Sequence, residues 1–479
     1  MPLSDYLVRE IDVPVRSLSR FNGLVGRERY DALQVAAATA RQNLGNRTVW
    51  NVSSTAAGGG VAEMLQVLIG YSLDANIDMR WLVITGDPDF FSITKRIHNR
   101  LHGVAGDNGD LGTAELAHYS YVTSANATSA ADFIRRGDIV LLHDPQTAGL
   151  TAPLTQAGAS VVWRCHIGSE TSNGWTDQAW AFLRGQLVTC AAYVFSMPEY
   201  IPTWVDESMA WVIPPSIDPF SPKNQEISKT DVVGRLQHIG LLQGAPDDPS
   251  VFTRRDGTEA IVERRATIVS VDDLPPKAEV PWVLQVSRWD RLKDMAGVMT
   301  GFASRVVDIV DAQLVLVGPS TSEVSDDPEE AEVFAECTAT WETRPAGARR
   351  RVSLVALPMD DIDENSQWQM RCSVTPLLWC KRAWRKGFGL TVAEAMWKAK
   401  AVVASSIGGI TMQIAPGTGL LLEDPTDLVD FGDTLALLLG RPDEIADLGR
   451  RAQRHVLEGF VGDIHLVRYV RLISWLVSQ

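Results

Sequence analysis

Short apolar runs bounded by Gly, Asp or Pro alternate along the chain with longer amphipathic stretches, the rhythm of βαβ units in a parallel sheet. In the first half these runs are Thr48–Val52, Trp81–Thr85, Ile139–Leu142, Ser160–Arg164, Tyr193–Ser196 and Trp211–Ile213. The rhythm restarts at Trp282–Val286, Leu314–Val317, Val352–Ala356 and Ala401–Ser405. Between the halves, PPSIDPFSPKN (Pro214–Asn224) holds four prolines in eleven residues, which forbids helix and favours an extended connection. The pattern therefore predicts an α/β protein with one domain over 1–217, including an extension over 1–45, and a second over 218–455. Residues 244–281, rich in charge and proline, read as an insertion before the second domain's first strand. The stretch 456–479 is apolar at helical spacing and is expected to pack back on a domain, the N-terminal one being the candidate.

Composition narrows the function classes. The chain has 479 residues, too many for one core, with 45% apolar and 22% charged residues. Its 44 Lys and Arg against 59 Asp and Glu give a net charge of −15, which argues against nucleic acid or an anionic membrane as the main partner. Any phosphate it binds must be held in a local pocket. Five cysteines without a CxxC pairing indicate neither a disulfide framework nor a zinc site, and a reducing compartment fits. The N-terminal stretch lacks the apolar run of a signal peptide, and no stretch approaches the roughly 18 apolar residues of a membrane span. A cytoplasmic protein is expected, with a homo-oligomer left open.

Four groups of residues could carry chemistry. Gly58, Gly59 and Gly60 follow a strand and open a helix, so backbone N–H groups there can converge on an anion; a tight turn with close helix packing is the other reading. Arg288 and Lys293, in QVSRWDRLKDM, stand at the C-terminal edge of a strand, where two cations suit a diphosphate; ordinary surface cations are the alternative. In KGFGLTVAEAMWK, Gly387 and Gly389 permit close approach, and Glu394 is placed either to accept from ribose hydroxyls or to form a capping box with Thr391. His143 with Asp144, and His166, end strands of the first half, while His98 and His102 share one amphipathic stretch. Any one of these histidines alone is more often structural than catalytic, but two that end strands of one domain are expected to place at least one against a ligand.

Taken in order, WNVSSTAAGGGVAEML, KRIHNRLHG, LLHDPQ, WRCHI, PPSIDPFSPKN, VSRWDRLKDM, LPMDDIDEN and GFGLTVAEAMWK resemble the retaining glycosyltransferases of family 4, in the trehalose-synthase branch, over nearly the whole chain. The resemblance implies a GT-B fold, two Rossmann-like domains with parallel sheets facing a central cleft, the first for the acceptor and the second for the donor. It implies a nucleotide-diphosphate-glucose donor, glucose as acceptor, and neither metal nor cofactor. Carried over by motif, Arg288 and Lys293 would grip the donor diphosphate and Glu394 the ribose. Gly387, Phe388, Gly389, Leu390 and Thr391 would meet the donor sugar and phosphates, with Gly58, Gly59 and Gly60 closing on the donor from the other domain. Asp144, Arg164 and His166 would line the sugar site, and His98, His102 and His143 belong to the same acceptor set. The mechanism implied is front-face displacement, with no carboxylate nucleophile.

One position departs from the family pattern, which has Glu immediately before GFG where this chain has Lys386. The preceding stretch, Ser366–Lys386, has Trp368, Trp379 and Trp384 close together and neither helix nor strand period. If Cys380–Lys386 is encoded TGC-AAA-AGA-GCT-TGG-CGG-AAG, reading from the third base gives QKSLAE, with the family's Glu in place. Permitted codons upstream decode in that frame to NALQRHATVVV, a helix tail and a buried strand. Residues from about 366 to 386 are therefore read as out of frame through two compensating shifts. The alternatives are a donor site remodelled so that Arg385 and Lys386 hold an anionic sugar, as in a specialised-metabolite glycosyltransferase with another donor or acceptor, or a relative that binds nucleotide sugar without turnover.

Overall fold

A computed structural model describes the chain apart from residues 1–5, 57–58, 227, 239, 245–250, 254–257, 263–265, 272–274, 276, 278–279, 321–327, 359–377 and 382–387. It divides into two compact units, the first formed by Met1–Ile217 with Phe460–Gln479 and the second by Asp218–Gly459.

Unit 1 holds β1 (Arg9–Glu10), β2 (Val49–Ser53), β3 (Met79–Val83), β4 (Ile139–His143), β5 (Ser160–Cys165), β6 (Ala192–Phe195) and β7 (Ala210–Val212). Its helices include α1 (Arg27–Leu44), α2 (Gly59–Asp74) and α3 (Pro88–Leu101). The sheet runs β1-β3-β2-β4-β5-β6-β7, parallel except for β1 on β3. Strands buried on both faces read as continuous apolar runs, and β2 and β4 are buried at every position.

Unit 2 holds the hairpin β8 (Val251–Thr253) and β9 (Glu259–Ile261), then β10 (Thr267–Val269), β11 (Trp282–Val286), β12 (Gln313–Pro319), β13 (Val352–Leu357), β14 (Leu378–Lys381), β15 (Ala401–Ser405) and β16 (Leu420–Leu422). Its order is β10-β13-β12-β11-β14-β15-β16, parallel except for β10. The charged stretch ahead of β11 thus supplies an antiparallel edge strand as well as a hairpin. Helices α4 (Met295–Arg305), α5 (Thr391–Trp397) and α6 (Pro442–Gly459) belong to this unit. Its core joins Val283, Leu314, Leu354 and Val403 of the sheet to Val298 and Phe302 of α4.

The last helix, α7 (Gly462–Ser478), belongs to unit 1, where it packs on α1 and α2 with Leu466, Tyr469, Val470 and Ile473 buried. Arg29 of α1 grips buried Asp463 with two bonds, Nε to Oδ2 at 2.5 Å and Nη2 to Oδ1 at 2.7 Å. Breaking one partner of such a pair leaves a charge in the interior.

Candidate active site

Ligands of open α/β sheets bind outside the carboxyl ends of the strands where strand order reverses. In unit 1 that point lies between β2 and β4, and in unit 2 between β11 and β14. Every motif singled out from the sequence, apart from the His98–His102 stretch, the interdomain linker and LPMDDIDEN, follows one of these four strands or an immediate neighbour.

In unit 1 a single face of the sheet carries an ordered hydrogen-bond chain. His143 Nε2 donates to Asn51 Oδ1 at 3.1 Å, which leaves Nδ1 as acceptor for His166 Nε2 at 3.0 Å. Arg164 Nε completes it, 3.5 Å from His166 Nδ1. Burial, seconded by Arg164, pushes His143 down to about 3 and His166 well below its ordinary value, so both rings are neutral. Asp144 holds the register: its Oδ1 accepts from His166 N at 2.8 Å, and its backbone sits in the left-handed region at φ 63°. A non-glycine residue there costs free energy that the surroundings must supply, and such strain concentrates at functional sites. Burial raises the Asp144 carboxyl to about 7 against the opposing pull of the His166 N–H and of Arg164.

These placements alter the assignments made from motifs. His143 is 1% exposed and Arg164 fully buried, so both lie deeper than His166 and Asp144. Asp144 and His166 are partly exposed and keep the direct role open. His98 and His102 pair with each other at the end of α3, ring centroids 5.0 Å apart. Asn51, a buried amide inside a strand, escaped sequence reading; its only signal is a polar residue in an apolar run. Gly58 lies outside the described residues and Gly59 opens α2. A Cβ on Gly60 would meet nothing within 4 Å, so close helix packing does not explain that glycine.

In unit 2, Asp290 caps the turn Arg291–Lys293 by accepting from Leu292 N at 2.8 Å, and Asp294 starts α4 by accepting from Gly297 N at 3.1 Å. Gln285, buried in β11, donates to Lys293 O at 2.8 Å and so fixes the lysine's backbone. Lys293 is nearly buried, 3.9 Å from Asp290, and burial lowers its ammonium below the ordinary value although Asp290 opposes this. Arg288 is more exposed and lies 3.6 Å from Glu330 and 3.7 Å from Asp290. The two cations therefore follow the strand at the switch point with acids beside them.

The turn after β14 is described from Phe388 onward; Lys386 and Gly387 lie outside the described residues. Gly389 has φ 71°, a conformation that needs glycine. Gln413 pins this turn: its Nε2 donates to Phe388 O at 2.5 Å and its Oε1 accepts from Ala393 N at 2.8 Å. No sequence signal marked Gln413. The capping-box alternative is overturned, because Leu390 is the cap residue, Thr391 Oγ1 has no hydrogen-bond partner among the described residues, and Glu394 turns instead to Lys223 at 2.7 Å. An added Cβ on Gly409 would collide with the Phe388 backbone. Gly409→Ala is thus expected to displace the turn and weaken nucleoside-diphosphate binding about tenfold, read by calorimetry; unchanged affinity would detach the turn from the site.

Of residues 366–386 only β14 is described, and it is the strand beside β11 at the switch point. Counted back from a Glu at 386, the alternative frame puts valines at 378–380 and Gln at 381. The observed strand instead buries a tryptophan and a lysine. Trp379 Nε1 has no hydrogen-bond partner among the described residues, and Lys381 Nζ donates to Val286 O at 2.6 Å and Ser287 Oγ at 2.5 Å.

Residues 51–202 match the family model of the trehalose synthase N-terminal domain, and residues 281–440 that of the group 1 glycosyl transferases. The trehalose synthase of Rubrobacter xylanophilus is 32% identical over 476 residues, covering 98% of this chain and 100% of that protein. A trehalose phosphorylase of Pleurotus sajor-caju is 24% identical over 396 residues, covering 78% of this chain and 50% of its own length. Among solved structures, a UDP-forming α,α-trehalose-phosphate synthase from Burkholderia xenovorans matches with a TM-score of 0.65 at 13% identity, over 90% of this chain and 100% of that one. That likeness is one of fold, the GT-B arrangement of two mostly parallel sheets.

Proposed function

Because the chain belongs to the trehalose synthase family of group 1 glycosyltransferases, we propose that it moves glucose from a nucleotide-diphosphate-glucose to glucose with retention, forming trehalose. The observation that supports this most is that Arg288, Lys293 and the Phe388–Thr391 turn follow the two strands flanking unit 2's switch point. A glycosyl bond to diphosphate breaks as negative charge gathers on the leaving oxygen, and fixed cations there lower the barrier. The acceptor hydroxyl attacks C1 on the face the diphosphate leaves, the C1–O bond to phosphate breaks, and the hydroxyl proton passes to a phosphate oxygen. On unit 1, Asp144 and His166 would orient the sugar hydroxyls, with the neutral His143–Asn51 chain fixing their geometry.

Two cations in place of a metal-binding acidic pair make the transfer metal-independent in this reading. Incubation with labelled nucleotide-glucose and glucose should yield a non-reducing disaccharide, with the rate unchanged by EDTA. An absolute requirement for magnesium or manganese would mean that the phosphate site is misassigned. The match to a trehalose phosphorylase favours a second reading, phosphorolysis. Glucose 1-phosphate formed from trehalose and inorganic phosphate, with no product from nucleotide-glucose, would select it.

A further inference from the structure

The proline-rich motif ends in Lys223-Asn224, both of which belong to unit 2. Lys223 Nζ lies 2.7 Å from Glu394 Oε1, with the side chains 18% and 11% exposed. Asn224, buried beside it, is fastened to the same helix: Trp397 Nε1 donates to Asn224 O at 3.0 Å and Lys398 Nζ to Asn224 Oδ1 at 3.1 Å. The turn also closes on itself, with Asn224 Nδ2 donating to Asp218 O at 2.9 Å and Asn224 N to Ser221 O at 2.9 Å. Lys223 is therefore presented to Glu394 in one geometry by a neighbour whose amide is fixed at both ends.

We propose that Lys223 is a positioning residue for nucleotide recognition: it holds Oε1 of Glu394 and leaves Oε2 as the acceptor for the ribose hydroxyls of a nucleoside diphosphate. This rests on the reading of Glu394 as the ribose-binding carboxylate. A buried carboxylate without a cation takes up a proton, and its protonated oxygen can no longer accept from both hydroxyls. The charged groups facing Glu394 are Lys223 from the turn, Lys398 at the C-terminal cap of α5 and Lys381 from β14. The packed neighbours also bring neutral amides, Gln413 to Ala393 N and Gln453 of α6 to Trp397 O. Burial pushes the Glu394 carboxyl up, but Lys223 foremost and then Lys398 outweigh it and hold the group below its ordinary value. Lys398 is itself lowered to about 8 by burial and stays cationic at acidic pH, so Lys223 is the larger of two counter-charges. A depressed carboxylate delivers its interaction above its unfolded pKa and loses it only as the pH falls through the folded one. The wild type thus keeps its acceptor through mildly acidic pH, and removal of Lys223 moves the loss to higher pH.

The test is calorimetric titration of the full chain between pH 5.5 and 8 with uridine, adenosine and guanosine diphosphates, using whichever binds the wild type most tightly. Each variant is read as its affinity ratio to the wild type at the same pH, which cancels the titration of the phosphates. Lys223→Met should bind about threefold weaker at pH 8 and about thirtyfold weaker at pH 5.5, while Lys223→Arg should track the wild type within about twofold. Glu394→Gln should be weaker by a constant factor at every pH. A Lys223→Met ratio independent of pH overturns the positioning role even if affinity falls. Wild-type affinity in Glu394→Gln, or no binding of any of the three ligands by the wild type, overturns the ribose reading itself, a separate failure.

Discussion

Substituting NALQRHATVVVQKSLAE for residues 370–386 is expected to raise both the melting temperature of unit 2 and the rate of glucosyl transfer. The strand at stake, β14, lies between β11 and β15 in the middle of a parallel sheet, where both faces are buried and β-branched apolar residues pack best. As it stands, the strand buries the Trp379 indole N–H, which has no hydrogen-bond partner among the described residues, beside a Lys381 ammonium that donates to Val286 O and Ser287 Oγ. An unsatisfied buried donor costs about 1–3 kcal/mol. Relieving it predicts a gain of about 1–3 kcal/mol, or roughly 2–12 °C for a unit of this size. Activity should rise further, because Glu at 386 accepts from sugar hydroxyls whereas an ammonium only donates. Lys386→Glu alone should recover little, since the mispacked strand remains. Genuine remodelling predicts the reverse: the present chain is folded and active on an anionic donor, and the substituted segment abolishes that activity. A present chain that is stable and fully active with nucleotide-glucose would defeat both readings, and resequencing the gene tests the frame directly.

If the proposed transfer holds, Lys293→Ala should lower kcat by about 10²-fold or more while shifting KM far less, because the leaving-group charge peaks in the transition state. The structure sharpens this relative to Arg288. Lys293 is the more buried cation, with its backbone fixed by Gln285, whereas Arg288 is more exposed and shared between Glu330 and Asp290. An electrostatic partner works hardest where water is excluded, so Arg288→Ala should cost less than Lys293→Ala. Turnover at the wild-type rate in Lys293→Ala would remove the lysine from the site, and equal losses in kcat and in substrate affinity would make it a binding group only.

Local pattern carried much of the fold. Apolar runs located β2, β4, β5, β11, β12, β13 and β15 to within a residue or two, since strands buried on both faces must be apolar along their length. The Gly, Arg and Lys motifs were legible as strand-end chemistry because they directly follow such runs. The short strands β1, β8, β9, β10 and β16 were not legible, being edges or hairpins of two or three residues, and β14 was hidden by its tryptophan and lysine. Strand order was also beyond the sequence. Periodicity reports that a face is buried but not what buries it, so nothing local places β14 beside β11, whose paired residues are about a hundred positions apart, or puts the switch points where the motifs converge. The same reason explains what local pattern left out. The burial of Arg164 and His143 was not legible until the sheet enclosed them, nor were Lys223 and Gln413 until folding brought them to Glu394 and Phe388. Residue type and spacing determined which chemistry this chain can offer; long-range packing decided which of those groups meet, and which stand behind them.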